Sequence, residues 1–289
     1  MVKTRFKGHE TFYFREGWIS KALFELNNNK NSTVLSEVKN GIVKLGVGSN
    51  MVKSIKYWLT TAGLVEYKNS KKGYQLTTLG TLIANYDVFL EDELSLWLIH
   101  YSIASNYSSA TTWYLFWNYF KGETFHSKDI LNSLKHYLDN ENIVYNEKSL
   151  ENDISVLLQM YSKRLNDDPE ENMICPLSRL RLLSQGINEY EKEYPLLQEG
   201  YELIILYILI NSKDNENRSY FNQGYIKLSE AEKIISNYTN LNRIDINDYI
   251  DILKSKYLQV VNTAGLDMIY FNKEIDIFDE IKSYYEGRV

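Results

Sequence analysis

The chain of 289 residues contains one cysteine, three prolines and four histidines. A single cysteine, Cys175, excludes an internal disulfide and a cysteine-rich zinc site, and we expect it to be a small buried hydrophobic residue. The histidines are scattered and form no His-x-x-x-His pair, so zinc catalysis is not indicated. With so few prolines, helices can run without interruption.

Long hydrophobic runs and nucleotide-binding motifs are also missing. The most apolar run covers residues 203–210, far short of the ~20 residues that span a bilayer. The polar, basic amino terminus is not a signal peptide, so the sequence predicts a cytoplasmic protein without membrane association. Residues 45–48 (Leu-Gly-Val-Gly) lack the ending of a nucleotide-binding P-loop. They fit either a phosphate-binding helix start or a tight turn.

Charge is distributed unevenly along the chain. Residues 1–80 carry 13 lysine and arginine residues against 5 acidic ones, whereas the remainder carries 19 basic and 33 acidic residues. This segregation predicts that the amino-terminal part meets a polyanion and that the rest does not. Chance clustering of surface lysines is the alternative.

The order of predicted elements indicates a mainly α protein with a winged-helix domain at residues 1–88. Helices are predicted at 16–26, 34–43 and 50–62, followed by short strands at 64–67 and 74–76. Ser49 or Asn50 is predicted to cap the third helix, and Gly63 to end it. Three helices and a two-stranded hairpin are the winged-helix order.

The third helix has the pattern of a recognition helix. Its apolar stripe is predicted to pack inward, and its polar face is predicted to enter a groove of double-stranded DNA. The hairpin tip, residues 68–73, would be the wing beside the phosphates. The predicted DNA-binding residues are Ser49, Asn50, Lys53, Lys56, Tyr57, Lys68, Lys71 and Lys72.

The rest of the chain is predicted to be helical. A middle domain at 89–188 contains helices at 92–107, 127–138 and 149–161, and a densely aromatic block at 110–120 that is expected to be core. The acidic runs at 91–93 and 167–171 are more typical of solvated faces than of metal sites. The last domain, 189–289, combines a buried-looking helix at 198–211, helices at 229–238 and 245–256, and a hairpin at 258–263 and 268–272. That order is winged-helix-like. Because this part of the chain is acidic, such a domain would suit contact with a protein.

Several blocks of residues resemble the domain-of-unknown-function family four thousand and seven. The strongest are Phe6, His9, Glu10, Thr11, Phe12, Arg15, Gly17, Trp18 and Lys21, and then Leu45 to Gly48, Asn50 to Val52, Ser54, Ile55, Tyr57 and Trp58. Weaker blocks are Ala110 to Trp113, Asp153 with Tyr161, and Cys175 to Leu177. The resemblance spans most of the chain.

This resemblance implies a role in anti-phage DNA modification. The family includes the SspB-type component of bacterial single-strand DNA phosphorothioation systems, which is associated with DNA nicking. Its implied partners are a sulfur-transfer enzyme, a cysteine desulfurase and an ATPase. A homodimer of the chain is also possible. Family members often carry a basic residue after Leu-Gly-Val-Gly, whereas this chain has Ser49, which weakens a phosphate contact there.

The candidate catalytic residues are His9, Glu10 and Arg15. A histidine can act as a general base, an arginine can stabilise a pentavalent phosphate, and a carboxylate could hold Mg²⁺, although no metal site is identified. Alternatively they bind phosphate without cleavage, or Glu10 pairs with Arg15 while His9 caps the helix.

Three functions therefore stay open for the chain: a nicking or target-presenting subunit, a non-catalytic DNA-binding adaptor or regulator, and a protein-interaction scaffold.

Overall fold

Helices make up most of this computed structural model, which confirms the mainly α prediction. It describes residues 3–162, 175–187, 189–195, 200–214, 216–254, 256–263 and 266–288. The acidic run at 167–171 lies outside the described residues. The chain forms two compact units, residues 1–193 and 194–289.

The first unit is a set of helices with two small sheets. Its elements in chain order are α1 (Glu16–Asn28), α2 (Val38–Leu45), α3 (Ser49–Thr61), β1 (Val65–Asn69), β2 (Gly73–Leu76), α4 (Thr78–Tyr86), α5 (Glu93–Ala104), α6 (Thr111–Tyr119), β3 (Thr124–Phe125), α7 (Ser127–Asn140), α8 (Glu147–Tyr161), a 3-10 helix (Pro176–Leu180), β4 (Leu183–Gln185) and β5 (Tyr190–Lys192). Strands β1 and β2 form an antiparallel hairpin, and β3, β5 and β4 form a second antiparallel sheet in that order.

The first three helices and the hairpin follow in the predicted order because each helix buries one apolar stripe. In α3 the stripe contains Val52, Ile55, Trp58 and Leu59, all of them buried. Residues at these spacings share one side of a helix, so Lys53 and Lys56 face outward, whereas Ser54 is buried with the stripe. The element order agrees with the sequence, whereas the winged-helix assignment stays a prediction.

Two local predictions near α3 differ from the structure. Helix α2 begins at Val38 rather than at residue 34, because Val34 and Leu35 are buried in a turn that precedes it. Gly48 is the N-cap residue of α3, so neither Ser49 nor Asn50 caps it; both lie within its first turn. A left-handed Gly63 (φ 68°) follows the helix as predicted.

The predicted boundary near residue 88 falls inside the first compact unit. Backbone and side-chain hydrogen bonds join its amino-terminal residues to the middle region, among them Arg5 N to Thr111 Oγ1 at 2.9 Å and Tyr57 Oη to the Ser109 carbonyl at 2.8 Å. Regions 1–88 and 89–188 therefore pack together rather than as two separate bodies. The second unit begins at Tyr194, close to the predicted boundary at 189.

The aromatic block in α6 is core, as predicted. Trp113, Phe116 and Trp117 are each at most 1% exposed. Trp117 contacts the rings of His100 and Tyr161, whose Nδ1 and Oη atoms are 2.8 Å apart. Cys175 is buried and has no disulfide partner, in agreement with its predicted role as a small core residue.

The second unit consists of helices and one three-stranded antiparallel sheet. Its elements are α9 (Glu202–Asn211), α10 (Tyr220–Gln223), β6 (Tyr225–Lys227), α11 (Leu228–Thr239), α12 (Arg243–Leu253), β7 (Leu258–Thr263), β8 (Leu266–Phe271) and α13 (Ile277–Glu286). The sheet order is β6-β8-β7. The predicted helix-helix-hairpin order is present, and β6 adds a strand in front of it that the sequence pattern did not indicate. Helix α9 is buried on nearly all sides, which explains its continuous run of apolar residues.

None of the helices in the described ranges combines the length and the hydrophobicity that a membrane span requires.

Gly80 in α4 tests the close packing between α4 and Leu64, the residue that precedes β1. A Cβ at this position would lie 1.9 Å from the backbone oxygen of Leu64, which cannot move aside as a flexible side chain could. We therefore expect Gly80→Ala to lower the free energy of unfolding by about 2 kcal/mol or more, measured by urea denaturation.

Gly17→Ala is the matched control, since Gly17 lies in helix α1 and its Cβ would meet nothing within 4 Å. Alanine there should stabilise the protein by roughly 0.5–1 kcal/mol. Equal effects of the two substitutions would contradict the packing derived for α4.

Candidate nucleic-acid interface

Five lysines of α3 and the hairpin form a basic surface. Lys53, Lys68, Lys71 and Lys72 are exposed and Lys56 is half-buried; we call these five residues the lysine surface. Helix α3 directs Lys53 and Lys56 toward the solvent because the apolar stripe on its opposite side packs in the core. Ser49 and Asn50 are exposed at the start of the same helix, where Asn50 Oδ1 accepts a hydrogen bond from Lys53 Nζ at 3.2 Å.

Lys56 connects the helix to the hairpin. Its Nζ atom lies 5.8 Å from the ring centre of Tyr74 on β2. Tyr74 faces Tyr67 across the hairpin, with ring centres 5.3 Å apart, and Tyr67 is 56% exposed. The structure thus brings the predicted recognition helix and the predicted wing together, with two tyrosine rings beside the lysines.

The tip of the hairpin has a defined shape. Asn69 Oδ1 accepts hydrogen bonds from the backbone N–H groups of Lys71 and Lys72, each at 3.0 Å. Gly73 adopts a left-handed conformation (φ 61°) that closes the turn. Lys68 lies 2.5 Å from Glu66, so one of the five positive charges is partly compensated. The fixed backbone holds the tip lysines in place without restricting their side chains.

The segment before α1 follows an irregular path. Residues 3–6 have no regular secondary structure, Lys7 and Gly8 lie in a bend and a turn, and Lys7, Glu10 and Thr11 have left-handed φ values of 56°, 51° and 72°. Each non-glycine residue in this region costs on the order of 1 kcal/mol, so such a path persists only where surrounding contacts determine it. We call residues 3–8 the amino-terminal arm.

Asp153 on α8 holds the end of this arm. Its Oδ1 atom accepts hydrogen bonds from the backbone N–H of Lys7 and from His9 Nε2, both at 2.8 Å. Its Oδ2 atom accepts from Thr112 Oγ1, also at 2.8 Å. His9 is 0% exposed and Asp153 is 1% exposed. A buried carboxylate is tolerated when its oxygens are saturated in this way.

His9 lies between aromatic rings. Its imidazole stacks on Trp58 with ring centres 5.7 Å apart and an angle of 10°, and it meets Trp113 edge-on at 5.6 Å. Because Nε2 faces a carboxylate, we assign the proton to Nε2, which leaves Nδ1 with its lone pair. Nδ1 is buried and has no hydrogen-bond partner within the described residues.

A carboxylate that orients a histidine is the relation found in general-base catalysis. A general base, however, has to reach the proton that it abstracts. His9 is covered by Trp58 and Trp113, so in this conformation its free nitrogen cannot contact a phosphodiester. The geometry fits a positioning role, and a catalytic role for His9 would require the arm to open.

The other two predicted catalytic residues have different surroundings. Glu10 is half-buried in the strained turn. The Arg15 guanidinium lies over the rings of Tyr13 and Trp18, 4.8 and 4.5 Å from their centres. Such contacts orient an arginine at the start of α1. Catalysis by His9, Glu10 and Arg15 stays a prediction.

Tyr57 differs from the other predicted DNA-binding residues because it points inward. It is 4% exposed, and its hydroxyl donates to the Ser109 carbonyl. Burial raises the pKa of this hydroxyl; the charge of Asp153 raises it further and the charge of Arg5 lowers it. Tyr57 therefore has no free group for DNA, and its ring instead supports the arm.

Comparison with known proteins places the chain in a family. The profile described as "Protein of unknown function (DUF4007)" matches residues 6–285. The chain belongs to this family. No curated protein matches its sequence.

Two solved structures share the fold of this DUF4007 chain. One is a crystal structure of SspB, with a TM-score of 0.81 and 21% identity over 99% of this chain and 89% of that one. The other is a crystal structure of magnesium ion-bound SspB, with a TM-score of 0.78 and 22% identity over 97% of this chain and 88% of that one. At this identity the likeness establishes the fold.

The blocks that carry the family resemblance meet around Asp153. His9, Trp58, Thr112 and Asp153 come from four of these blocks and are joined by the contacts described above. Sequence reasoning missed the pairing. The available signal was an aspartate in the apolar face of α8, between the buried residues Leu150 and Leu157.

Magnesium stays a prediction for this DUF4007 chain. One of the two similar structures contains a magnesium ion. In the described ranges no group of three histidine, cysteine or acidic residues is arranged to hold a metal ion. The buried Asp153 has no room for this role, since both of its oxygens already accept hydrogen bonds.

Replacing Asp153 tests the anchor. Asp153→Ala would leave Lys7 N, His9 Nε2 and Thr112 Oγ1 without their common acceptor. We expect a loss of about 3–5 kcal/mol in the free energy of unfolding, in the range found when one partner of a buried pair is removed. Denaturant unfolding followed by circular dichroism measures it.

Glu151→Ala is the control, because Glu151 lies on the same helix and is exposed. It should change stability by no more than about 0.5 kcal/mol. An Asp153 variant as stable as the Glu151 variant would disprove the anchor.

Proposed function

We propose that the chain is the DNA-binding component of a bacterial single-strand DNA phosphorothioation system, which holds double-stranded DNA and presents or nicks one strand. The contact between Lys56 of α3 and Tyr74 of the hairpin carries the proposal, because it joins helix and wing lysines into one basic surface. The likeness to SspB over nearly the whole chain supports the assignment to this class of system. A sulfur-transfer enzyme, a cysteine desulfurase and an ATPase are the partners proposed with it.

The DNA contact has two parts. Lys53 and the first turn of α3 enter a groove, where Gly48, which has no side chain, leaves the N–H groups of the turn accessible to a phosphate. Lys68, Lys71 and Lys72 of the hairpin lie along the adjacent backbone. Lysine–phosphate contacts release counterions, so the affinity falls as salt rises.

A non-catalytic adaptor is the second candidate, and the burial of His9 favours it. If His9 only positions the arm, the chain binds DNA and another component cleaves it. Supercoiled plasmid with the purified chain, first with Mg²⁺ and then with a chelator, separates the candidates. Nicked circles that depend on Mg²⁺ assign cleavage to this chain, whereas intact plasmid in both conditions assigns it to a partner.

The principal test is charge reversal on α3. We expect Lys53→Glu with Lys56→Glu to weaken binding to a duplex roughly fiftyfold or more at 0.1 M salt. The estimate follows from a change in log K of ~0.9 per phosphate contact for each decade of salt below 1 M. Fluorescence anisotropy with a labelled duplex measures the affinity, and circular dichroism checks that helical content is retained.

Lys128→Glu with Lys148→Glu is the matched control, because both residues are exposed and the net charge changes equally. Binding should fall much less than in the α3 variant. Equal losses in the two variants would place the DNA surface elsewhere, and a wild-type chain without salt-dependent binding would refute the proposal.

His9 gives a separate prediction. His9→Ala removes the stacked imidazole and its bond to Asp153, so we expect lower thermal stability together with any loss of nicking. A variant that keeps the wild-type melting temperature and its DNA affinity but no longer nicks would establish His9 as a catalytic residue.

A further inference from the structure

The amino-terminal arm carries a second row of positive charges. Lys3, Arg5 and Lys7 are exposed, whereas the residues between them, Thr4 and Phe6, are half-buried. This alternation of exposure places the three basic side chains on the outer side of the arm. Glu10 is the one acidic residue of the sequence from residue 3 to residue 15.

The arm is held against the first unit by its backbone. Arg5 N donates to Thr111 Oγ1 at 2.9 Å, and Lys7 N donates to Asp153 Oδ1 at 2.8 Å. Gly8 packs so closely on Tyr57 that a Cβ there would lie 2.4 Å from the ring. The backbone makes the hydrogen bonds that hold the arm. The three basic side chains take no part in these hydrogen bonds, although the Arg5 guanidinium contacts the Tyr57 ring.

The arm lies beside helix α3. The Arg5 guanidinium is 4.9 Å from the ring centre of Tyr57, which is on α3. With 3.6 residues per turn, Lys56 and Tyr57 lie roughly 60° and 40° to either side of Lys53 around the helix axis. The hairpin meets α3 at Lys56 and the arm meets it at Tyr57. Lys53 is therefore flanked by basic residues on both sides.

We propose that the amino-terminal arm is a third DNA-contacting element, in which Lys3, Arg5 and Lys7 bind the phosphate backbone on the side of α3 opposite the hairpin. This inference rests on the proposed function, since it extends the same surface. The contacts are to phosphates, so they add affinity without distinguishing sequences. The anchoring at Asp153 positions the arm before DNA arrives, which lowers the entropy lost on binding.

The test is a triple variant, Lys3→Gln, Arg5→Gln and Lys7→Gln, which removes the positive charges and keeps polar side chains. At 0.1 M salt we expect binding about tenfold weaker for each side chain that contacts a phosphate. The slope of log K against log salt should become shallower by roughly 1 for each such contact. The loss should be the same for two duplexes of unrelated sequence.

The matched control replaces Lys121, Lys128 and Lys148, three exposed lysines of the same unit, with glutamine. The control should keep the wild-type slope. The arm variant could match the control in both affinity and slope while the α3 variant loses binding. That result would refute the DNA contact of the arm and leave the proposed function intact. A wild-type chain that does not bind DNA overturns both.

Unfolding measurements on the arm variant complete the design. Because the anchoring hydrogen bonds come from the backbone, we expect a melting temperature close to that of the wild type, lowered only by loss of the exposed contact between Arg5 and the Tyr57 ring. A shallower salt slope in a variant of unchanged stability supports the arm as a phosphate contact. A loss of affinity with unchanged slope and lower stability would assign the arm a structural role and overturn the inference.

Discussion

The buried carboxylate of Asp153 determines how the amino-terminal region of this protein is arranged. It accepts hydrogen bonds from the arm, from His9 and from α6, and so connects three distant parts of the chain. An ionised carboxylate inside a protein is costly unless its oxygens are saturated. The same bonds that satisfy Asp153 therefore hold the turn at residues 7–11, in which Lys7, Glu10 and Thr11 adopt costly left-handed conformations.

Much of the fold around α3 follows from local patterns of apolar and polar residues, so it can be predicted from the sequence. Apolar spacing identifies α1 and α3 and the polar face of α3, because side-chain direction along a helix depends on local geometry. The positions of Lys53 and Lys56 were predictable for that reason. Tyr57 was not, since its direction depends on a pocket formed by the distant residues Gly8 and Ser109.

The pairing of His9 with Asp153 shows the limit of local reasoning. The two residues are 144 positions apart, and neither neighbourhood indicates the other. A histidine beside a glutamate near a helix start has the appearance of a reactive group until its burial is known. An aspartate in an apolar helix face was the stronger signal, because a buried carboxylate requires donors that some other part of the chain has to supply.

Charge and burial together explain how a net acidic protein can present a basic surface. The basic residues are concentrated in residues 1–80, and the packing of α3 on its apolar stripe determines which of them face outward. The arm could not be assigned to this surface by composition, because an isolated extended segment has no fixed orientation. Asp153 supplies that orientation through the backbone of Lys7 and through His9, and the Tyr57 ring places Arg5 beside α3. A buried polar cluster far from solvent thus controls where positive charge stands on the surface.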